Sequence, residues 1–284
     1  MELKADKLIL DYGSDPIIEN FSLDVKAGEI ITLIGSNGSG KSTVLKAMGR
    51  TLKPSRGAVY LDGKALLSYD TKALARKMAM LPQSHNTPAD LTVRDLVAYG
   101  RFPHSGIFRA SGSKDKEAVD KALYLTQLEE LQDRFVSTLS GGERQRAWIA
   151  LNLAQEPSVL LLDEPTTFLD ISHQFELLEL VSDMNRNMGI AIVMVLHDLN
   201  HAARYSDRII AIKNKGIYCS GTVKEVMTEK NLREIFNIKT RIIHEDGIPH
   251  FIPIGSCARA SKFEPLGKES KQKSACFNVA EENA

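Results

Sequence analysis

The sequence predicts an α/β fold: a parallel sheet covered by helices on both faces, with an antiparallel β region and a helical region attached. Three observations predict it. All-apolar runs such as Val159-Leu160-Leu161-Leu162-Asp163 and residues 190–196 alternate with helix-period segments, the pattern of strands buried on both faces. A short apolar strand, Glu29-Ile30-Ile31-Thr32-Leu33-Ile34, runs straight into a glycine-rich loop and then a helical pattern. Turn signals at Asp62-Gly63 and Asp246-Gly247 each sit beside β-like runs, which marks hairpins.

The elements follow in order. Residues 1–34 read as strands. Residues 42–52 carry apolar side chains at Val44, Leu45, Met48 and Leu52, one face of a helix. Ala58-Val59-Tyr60-Leu61 leads into the Asp62-Gly63 turn. Residues 84 to about 156 are mostly helical in pattern, interrupted at Ser111-Gly112-Ser113. The strand 159–163 is followed by a helix over 173–187, whose buried face is Leu177, Leu178, Val181 and Met184 and whose exit is Gly189. A strand over 190–197 comes next. Thr222-Val223-Lys224-Glu225 is a capping box that opens a further helix. From Gly255 the chain turns polar. The expected organisation is one domain over 1–254, its helical part at about 84–156, and a loosely ordered tail over 255–284.

The chain has 284 residues, 43% hydrophobic and 25% charged, enough for a large core. Lys plus Arg number 36 and Asp plus Glu 36, so the formal net charge is zero and bulk charge gives no drive toward nucleic acid. The apolar runs fall short of a membrane span. Met1-Glu2-Leu3-Lys4-Ala5-Asp6 lacks an apolar signal core, so the chain is expected to stay in the cytosol. Cys219, Cys257 and Cys276 show no paired metal spacing and fit a reduced compartment.

Gly35-Ser36-Asn37-Gly38-Ser39-Gly40-Lys41-Ser42-Thr43 fits the phosphate-binding pattern G-x-x-x-x-G-K-[ST] of a P-loop NTPase core. Its glycines let backbone N–H groups curl around an anion, and the following helix start adds partial positive charge. Lys41 is expected to reach the outer phosphates and Ser42 to ligate Mg²⁺. Asp163 closes an apolar strand and Glu164 follows at once. An acidic strand end beside such a loop helps hold Mg²⁺, and a carboxylate one residue on can activate water. Leu139-Ser140-Gly141-Gly142-Glu143-Arg144-Gln145-Arg146 contains a capping box at Ser140 and Glu143, yet two glycines weaken a helix by about 1 kcal/mol each. Bare backbone at a helix start is a surface that phosphate can approach closely. A nucleotide loop and a second such helix start suit a dimer in which nucleotide lies between the loop of one copy and the helix start of the other.

Together these motifs resemble the ATP-binding subunits of ABC transporters, over roughly residues 2–254. Residues 35–43 resemble the Walker A loop, 139–145 the family signature, 159–164 Walker B with its catalytic glutamate, and Leu169-Asp170 the D-loop. His197 resembles the switch histidine that contacts the γ-phosphate, and Gln83, after Met80-Leu81-Pro82, the Q-loop glutamine. Tyr12 lies where the family stacks an aromatic ring on adenine. Tyr99-Gly100-Arg101-Phe102-Pro103-His104 and Thr167-Phe168-Leu169-Asp170-Ile171-Ser172-His173-Gln174 are similar to strings in ATPases that import iron–siderophore complexes, haem or cobalamin. Thr167-Phe168 departs slightly from the smaller residues many relatives carry there.

The resemblance implies an ATPase that binds two MgATP between two copies and powers import, with iron–siderophore complexes first and haem or cobalamin as alternatives. Gln83 joins Ser42 and Asp163 around Mg²⁺; Glu164 polarises water and His197 stabilises the transition state. The helical region from Gln83 to about Arg134 is implied to dock a coupling helix of permease subunits at the cytoplasmic face of the membrane, and an extracytoplasmic solute-binding protein is implied indirectly. No nucleic acid partner is expected. Rival readings fit less well. Soluble ABC ATPases usually carry two cassettes or a long coiled-coil insert. A GTPase needs an Asp two positions after Lys215, where Ile217 stands. A small-molecule kinase has no need of residues 139–145. Against an export ATPase stand the single cassette and the string 99–104.

Overall fold

In the computed structural model, which describes residues 1–83, 90–104 and 112–257, alternating burial starts with the first strands. Strands β1 (Glu2–Leu10) and β2 (Ile18–Lys26) pair antiparallel and point Leu3, Ala5, Leu8, Phe21, Leu23 and Val25 inward. After β3 (Ile30–Ile34) and helix α1 (Lys41–Met48), strands β4 (Arg56–Leu61) and β5 (Lys64–Ala65) complete an antiparallel sheet of order β2-β1-β4-β5. The β4–β5 turn is the expected Asp62-Gly63, both with positive φ.

The remaining elements build the main sheet and its cover. They are α2 (Thr71–Ala75), β6 (Met78–Leu81), α3 (Val93–Ala98), α4 (Ser113–Leu125), α5 (Gly141–Ala154), β7 (Val159–Asp163), α6 (Ile171–Met188), β8 (Ala191–Val195), α7 (Leu199–Tyr205), β9 (Arg208–Lys213) and β10 (Gly216–Thr222). The sheet runs β10-β9-β3-β8-β7-β6; every pairing is parallel except β10 with β9. The β9–β10 turn is Asn214-Lys215, both at positive φ, so that dipeptide has a structural task.

The parallel strands are walls between two cores. Ile31, Leu33, Leu161, Val193 and Ile210 face α1 and the antiparallel sheet, in one cluster with Val44, Leu45 and Met48. Their sequence neighbours Ile30, Ile34, Leu160, Leu162, Ile192 and Ile209 face the other way, into a cluster with α5, α6 and α7. Alternate residues along each strand feed opposite clusters, which is why these strands read as unbroken apolar runs. Val93, Leu96, Val119, Ala122 and Leu123 of the helical region join the second cluster.

Some boundaries differ from the sequence reading. Helix α1 stops at Met48, short of Leu52, because Gly49 caps it and Arg50 takes a left-handed φ of 61°. Helix α6 starts two residues earlier than residue 173, where Asp170 accepts a hydrogen bond from His173 N at 2.9 Å. Beyond β10, the capping box at Thr222 opens α8 (Val223–Val226), α9 (Glu229–Phe236) follows, and β11 (Ile238–Glu245) turns at Asp246-Gly247 into β12 (Ile248–Ser256). This hairpin is tied to α7, where Asn200 and the Phe251 backbone exchange two hydrogen bonds. The polar tail from residue 258, Cys276 and Ser111 lie outside the described residues. Among the described residues no helix is long and apolar enough to cross a membrane.

Candidate active site

The loop between β3 and α1 sits at the C-terminal edge of the parallel sheet, where open α/β sheets carry their ligands. Gly40 ends it with φ 100°. A Cβ there would lie 2.7 Å from Ile18 Cδ1 and 3.1 Å from Ile17 Cγ2, so both conformation and space demand glycine. No side chain caps α1, which leaves its first-turn N–H groups for an anion. Lys41 is buried, and its Nζ donates to the Gly35 carbonyl at 3.0 Å and the Ser36 carbonyl at 3.1 Å. Burial pushes its pKa down, opposed by the nearby carboxylates Glu164 and Asp163. Ser39 Oγ is buried without a hydrogen-bond partner, a donor turned into the loop and unused by the protein.

Strand β7 supplies the carboxylates. Asp163, at its last position, is 2% exposed and accepts a 2.8 Å hydrogen bond from Ser42 Oγ. Burial pushes its pKa up; the Ser42 hydrogen bond opposes that and the Glu164 charge adds to it. Glu164 then takes φ 53°, a left-handed conformation with a penalty of about 1 kcal/mol or more for a non-glycine residue. The reversal brings its carboxylate to the loop. Gln83 Nε2 donates to Glu164 Oε2 at 2.6 Å, and His197 Nε2 lies 2.6 Å from Oε1. Thr167 Oγ1 donates to Oε2 at 3.3 Å. Gln83 follows β6 and His197 follows β8, so the adjacent strands β6, β7 and β8 converge on one carboxylate.

Asn37, Gly38, Gly40, Lys41, Ser42, Thr43, Gln83, Glu164 and His197 line a single cavity of about 400 Å³. Ile17 lines it as well, an apolar wall that sequence reading missed because nothing marks it before β2. Thr167 was missed too, although its spacing from Glu164 suits a side-chain return to the preceding turn. Tyr12 is more than half exposed and does not line this cavity. Gly35 is buried behind the loop, and Ser36 borders a separate cavity with Lys213 and Cys257.

Ser140, Gly141 and Gly142 also lie outside the cavity. The expected capping box is formed: Ser140 Oγ accepts from Glu143 N at 3.3 Å and Ser140 N donates to Glu143 Oε2 at 2.8 Å. Ser140 and Gly141 are exposed, but Gly142 is buried. A Cβ at Gly142 would run into the His173 ring, 2.8 Å from Cγ and 3.1 Å from Nε2. Both positions are free of side chains as expected, but for different reasons: Gly141 is open, and packing against His173 demands glycine at 142.

Ser42 and Asp163 offer a hydroxyl and a carboxylate, hard oxygen donors that suit Mg²⁺. Among the described residues no cluster of three or more His, Cys, Asp or Glu side chains can hold a metal. Such a sparse donor set fits an ion that shares its coordination with substrate phosphates.

The profile of the ABC transporter family matches residues 18–167. The ferric enterobactin transport ATP-binding protein FepC of Escherichia coli (strain K12) is 44% identical over 258 residues, 90% of this chain and 95% of that protein. The petrobactin import ATP-binding protein FpuC of Bacillus anthracis is 48% identical, covering 88% of this chain and 92% of that protein. The iron(3+)-hydroxamate import ATP-binding protein FhuC of Bacillus subtilis (strain 168) is 46% identical, covering 85% and 90%. Among solved structures, the dimeric ABC transporter cassette MJ0796 is 30% identical with a TM-score of 0.69, covering 78% of this chain and 98% of that one. The same cassette is also known as a dimer in a post-hydrolysis state bound to ADP and Pi.

Proposed function

The chain belongs to the ABC transporter family as an ATP-binding, ATP-hydrolysing subunit, and on that premise we propose that it powers import of an iron–siderophore complex from the cytoplasmic face of a membrane. The observation that carries the transport reading is near-full-length identity of 44 to 48% to subunits named for siderophore and ferric-hydroxamate import. Deleting the gene should abolish growth on a ferric siderophore as sole iron source while leaving growth on abundant ferrous salt intact. Unimpaired growth on every siderophore offered would overturn the solute assignment.

The proposed chemistry uses the groups described. Backbone N–H groups at residues 38–43 and Lys41 bind the β- and γ-phosphates. Ser42, Asp163 and Gln83 would hold Mg²⁺. When bound, Mg²⁺ neutralises charge on the β- and γ-phosphate oxygens. Glu164 takes a proton from the attacking water, and His197 stabilises charge on the γ-phosphoryl group. Both nitrogen donors now rest on Glu164, so nucleotide entry must exchange those contacts for contacts to phosphate and water. Positioning and electrostatics dominate such phosphoryl transfer. Tyr12 is proposed to stack on adenine.

We propose further that residues 1–254 work as one ATPase domain and residues 255–284 as an appended tail. A second copy closes the site, with its Ser140, Gly141 and Gly142 on the γ-phosphate, a reading supported by the exposure of Ser140 and Gly141 here. The helical region from Gln83 to about Arg134 docks a permease coupling helix. Tyr99 and Phe102, 57% and 64% exposed on one short turn, support that surface. A solute-binding protein outside the membrane would deliver the solute to the permease.

A further inference from the structure

The burial of Gly142 points beyond the residues that touch nucleotide. What covers it is the imidazole of His173, on the first turn of α6. Asp170 fixes that ring: His173 Nδ1 lies 2.7 Å from Asp170 Oδ1, and a carboxylate can only accept, so Nδ1 carries the proton. The same oxygen accepts from His173 N at 2.9 Å. One bond to the ring and one to its backbone N–H, both on the same carboxylate oxygen, make the imidazole a firm stop for the helix start it packs against.

The contact lies among several others that tie α5 to residues 165–176. Pro165, next to Glu164, accepts a 2.9 Å hydrogen bond from Gln145 on α5. Leu169 Cδ2 lies 3.9 Å from where a Cβ of Gly141 would stand, and its carbonyl accepts from Gln174 Nε2 at 2.9 Å. Arg146 on α5 pairs with Glu176 on α6 at 2.9 Å. Residues 164–173 thus run from the catalytic carboxylate to the underside of the Ser140 helix tip within one protomer. If that tip serves the nucleotide held by a second copy, movement at one site is passed to the other.

We propose that His173 is a positioning residue that couples the two ATP sites of the dimer, by seating the Ser140 helix tip on the loop that carries Glu164. The inference rests on the two-copy reading of the site. A misplacement of the tip by a fraction of an ångström to an ångström weakens catalysis without touching the phosphate cradle.

The test compares His173→Ala and His173→Asn with wild type in steady-state ATP hydrolysis. His173→Asn retains an amide donor for Asp170 but leaves Gly142 uncovered, and it serves if the alanine variant folds poorly. Both should bind ATP to the isolated protomer with wild-type affinity. Both should lose turnover by on the order of tenfold to a hundredfold, and the Hill coefficient for ATP should fall from about 2 to about 1. A folded variant with wild-type kcat and Hill coefficient would overturn the coupling role. A parallel sizing run with Glu164→Gln alone and saturating ATP separates the two failures. If that variant does not dimerise, the two-copy reading fails and the coupling falls with it. If it dimerises and the His173 variants remain fully active and cooperative, only the coupling is wrong.

Discussion

Among the described residues, the glycine-bearing helix starts of α1 and α5 are built in opposite ways. Helix α1 begins at a left-handed glycine with no side-chain cap, beside a buried lysine and two carboxylates. Helix α5 begins with a complete capping box and has none of the described cavity's residues around it. The first leaves its N–H groups for a ligand and surrounds them with chemistry. The second satisfies part of its own backbone and presents Ser140 and Gly141 to the outside. On the proposed two-copy reading, the contrast means that half the site is finished inside one protomer, while the other half gains its purpose from a second copy.

Substitutions at the two ends should therefore fail differently. The largest effect belongs to Glu164→Gln on the cradle side: turnover should fall by about 10²- to 10⁴-fold, the range of a positioned general base, with ATP binding retained. Single-turnover hydrolysis by the purified variant measures it, and near-normal turnover would remove Glu164 from the mechanism. Next is Lys41→Ala, which removes a charged phosphate donor. ATP affinity should drop by roughly 10- to 100-fold, as expected for a charge-assisted hydrogen bond, and equilibrium titration with a fluorescent ATP analogue reads it.

Ser140→Ala sharpens the contrast. Nucleotide affinity of the protomer should stay at the wild-type value while turnover falls by about tenfold or more. Loss of the cap should also lower stability by about 1 kcal/mol, or roughly 2–4 °C in melting temperature. A weakened protomer affinity would mean that this helix start serves its own chain's nucleotide after all.

The smallest effect is a gain in stability. Burial raises the Asp163 pKa above its ordinary 3.8, so between that value and the raised one the folded state holds more protons than the unfolded chain. Stability therefore declines as pH rises through that window and stays lowered above it. Asp163→Asn removes the buried charge while keeping an oxygen that accepts from Ser42. At neutral pH its nucleotide-free melting temperature should rise, a gain that disappears as pH falls below the ordinary aspartate value of 3.8, where the aspartate is neutral too. Calorimetry at several pH values checks it; a lower melting temperature at neutral pH would mean the charge is stabilised by its surroundings.

Much of this was legible in the sequence because each signal had a local cause. Strand 159–163 was readable from its apolar run, since both faces are buried, and the Ser140–Glu143 box from its spacing alone. The loop at 35–43 announced itself because only glycine fits beside Ile17 and Ile18 at position 40. What escaped depends on distant contacts. Ile17 becomes a cavity wall only when β2 folds against the loop. The need for Gly142 comes from His173, a residue on another helix. The end of α1 at Met48 required the turn at Gly49 and Arg50 to override an apolar period that continues to Leu52.

The most direct test is the mass of the Glu164→Gln protein in solution, followed by light scattering as ATP and Mg²⁺ are added. A doubling of mass that saturates with nucleotide, and that Ser140→Ala abolishes in the same background, is the predicted result. A mass that stays at one protomer at saturating nucleotide would contradict the account, because the exposed helix tip would then have no nucleotide to close upon.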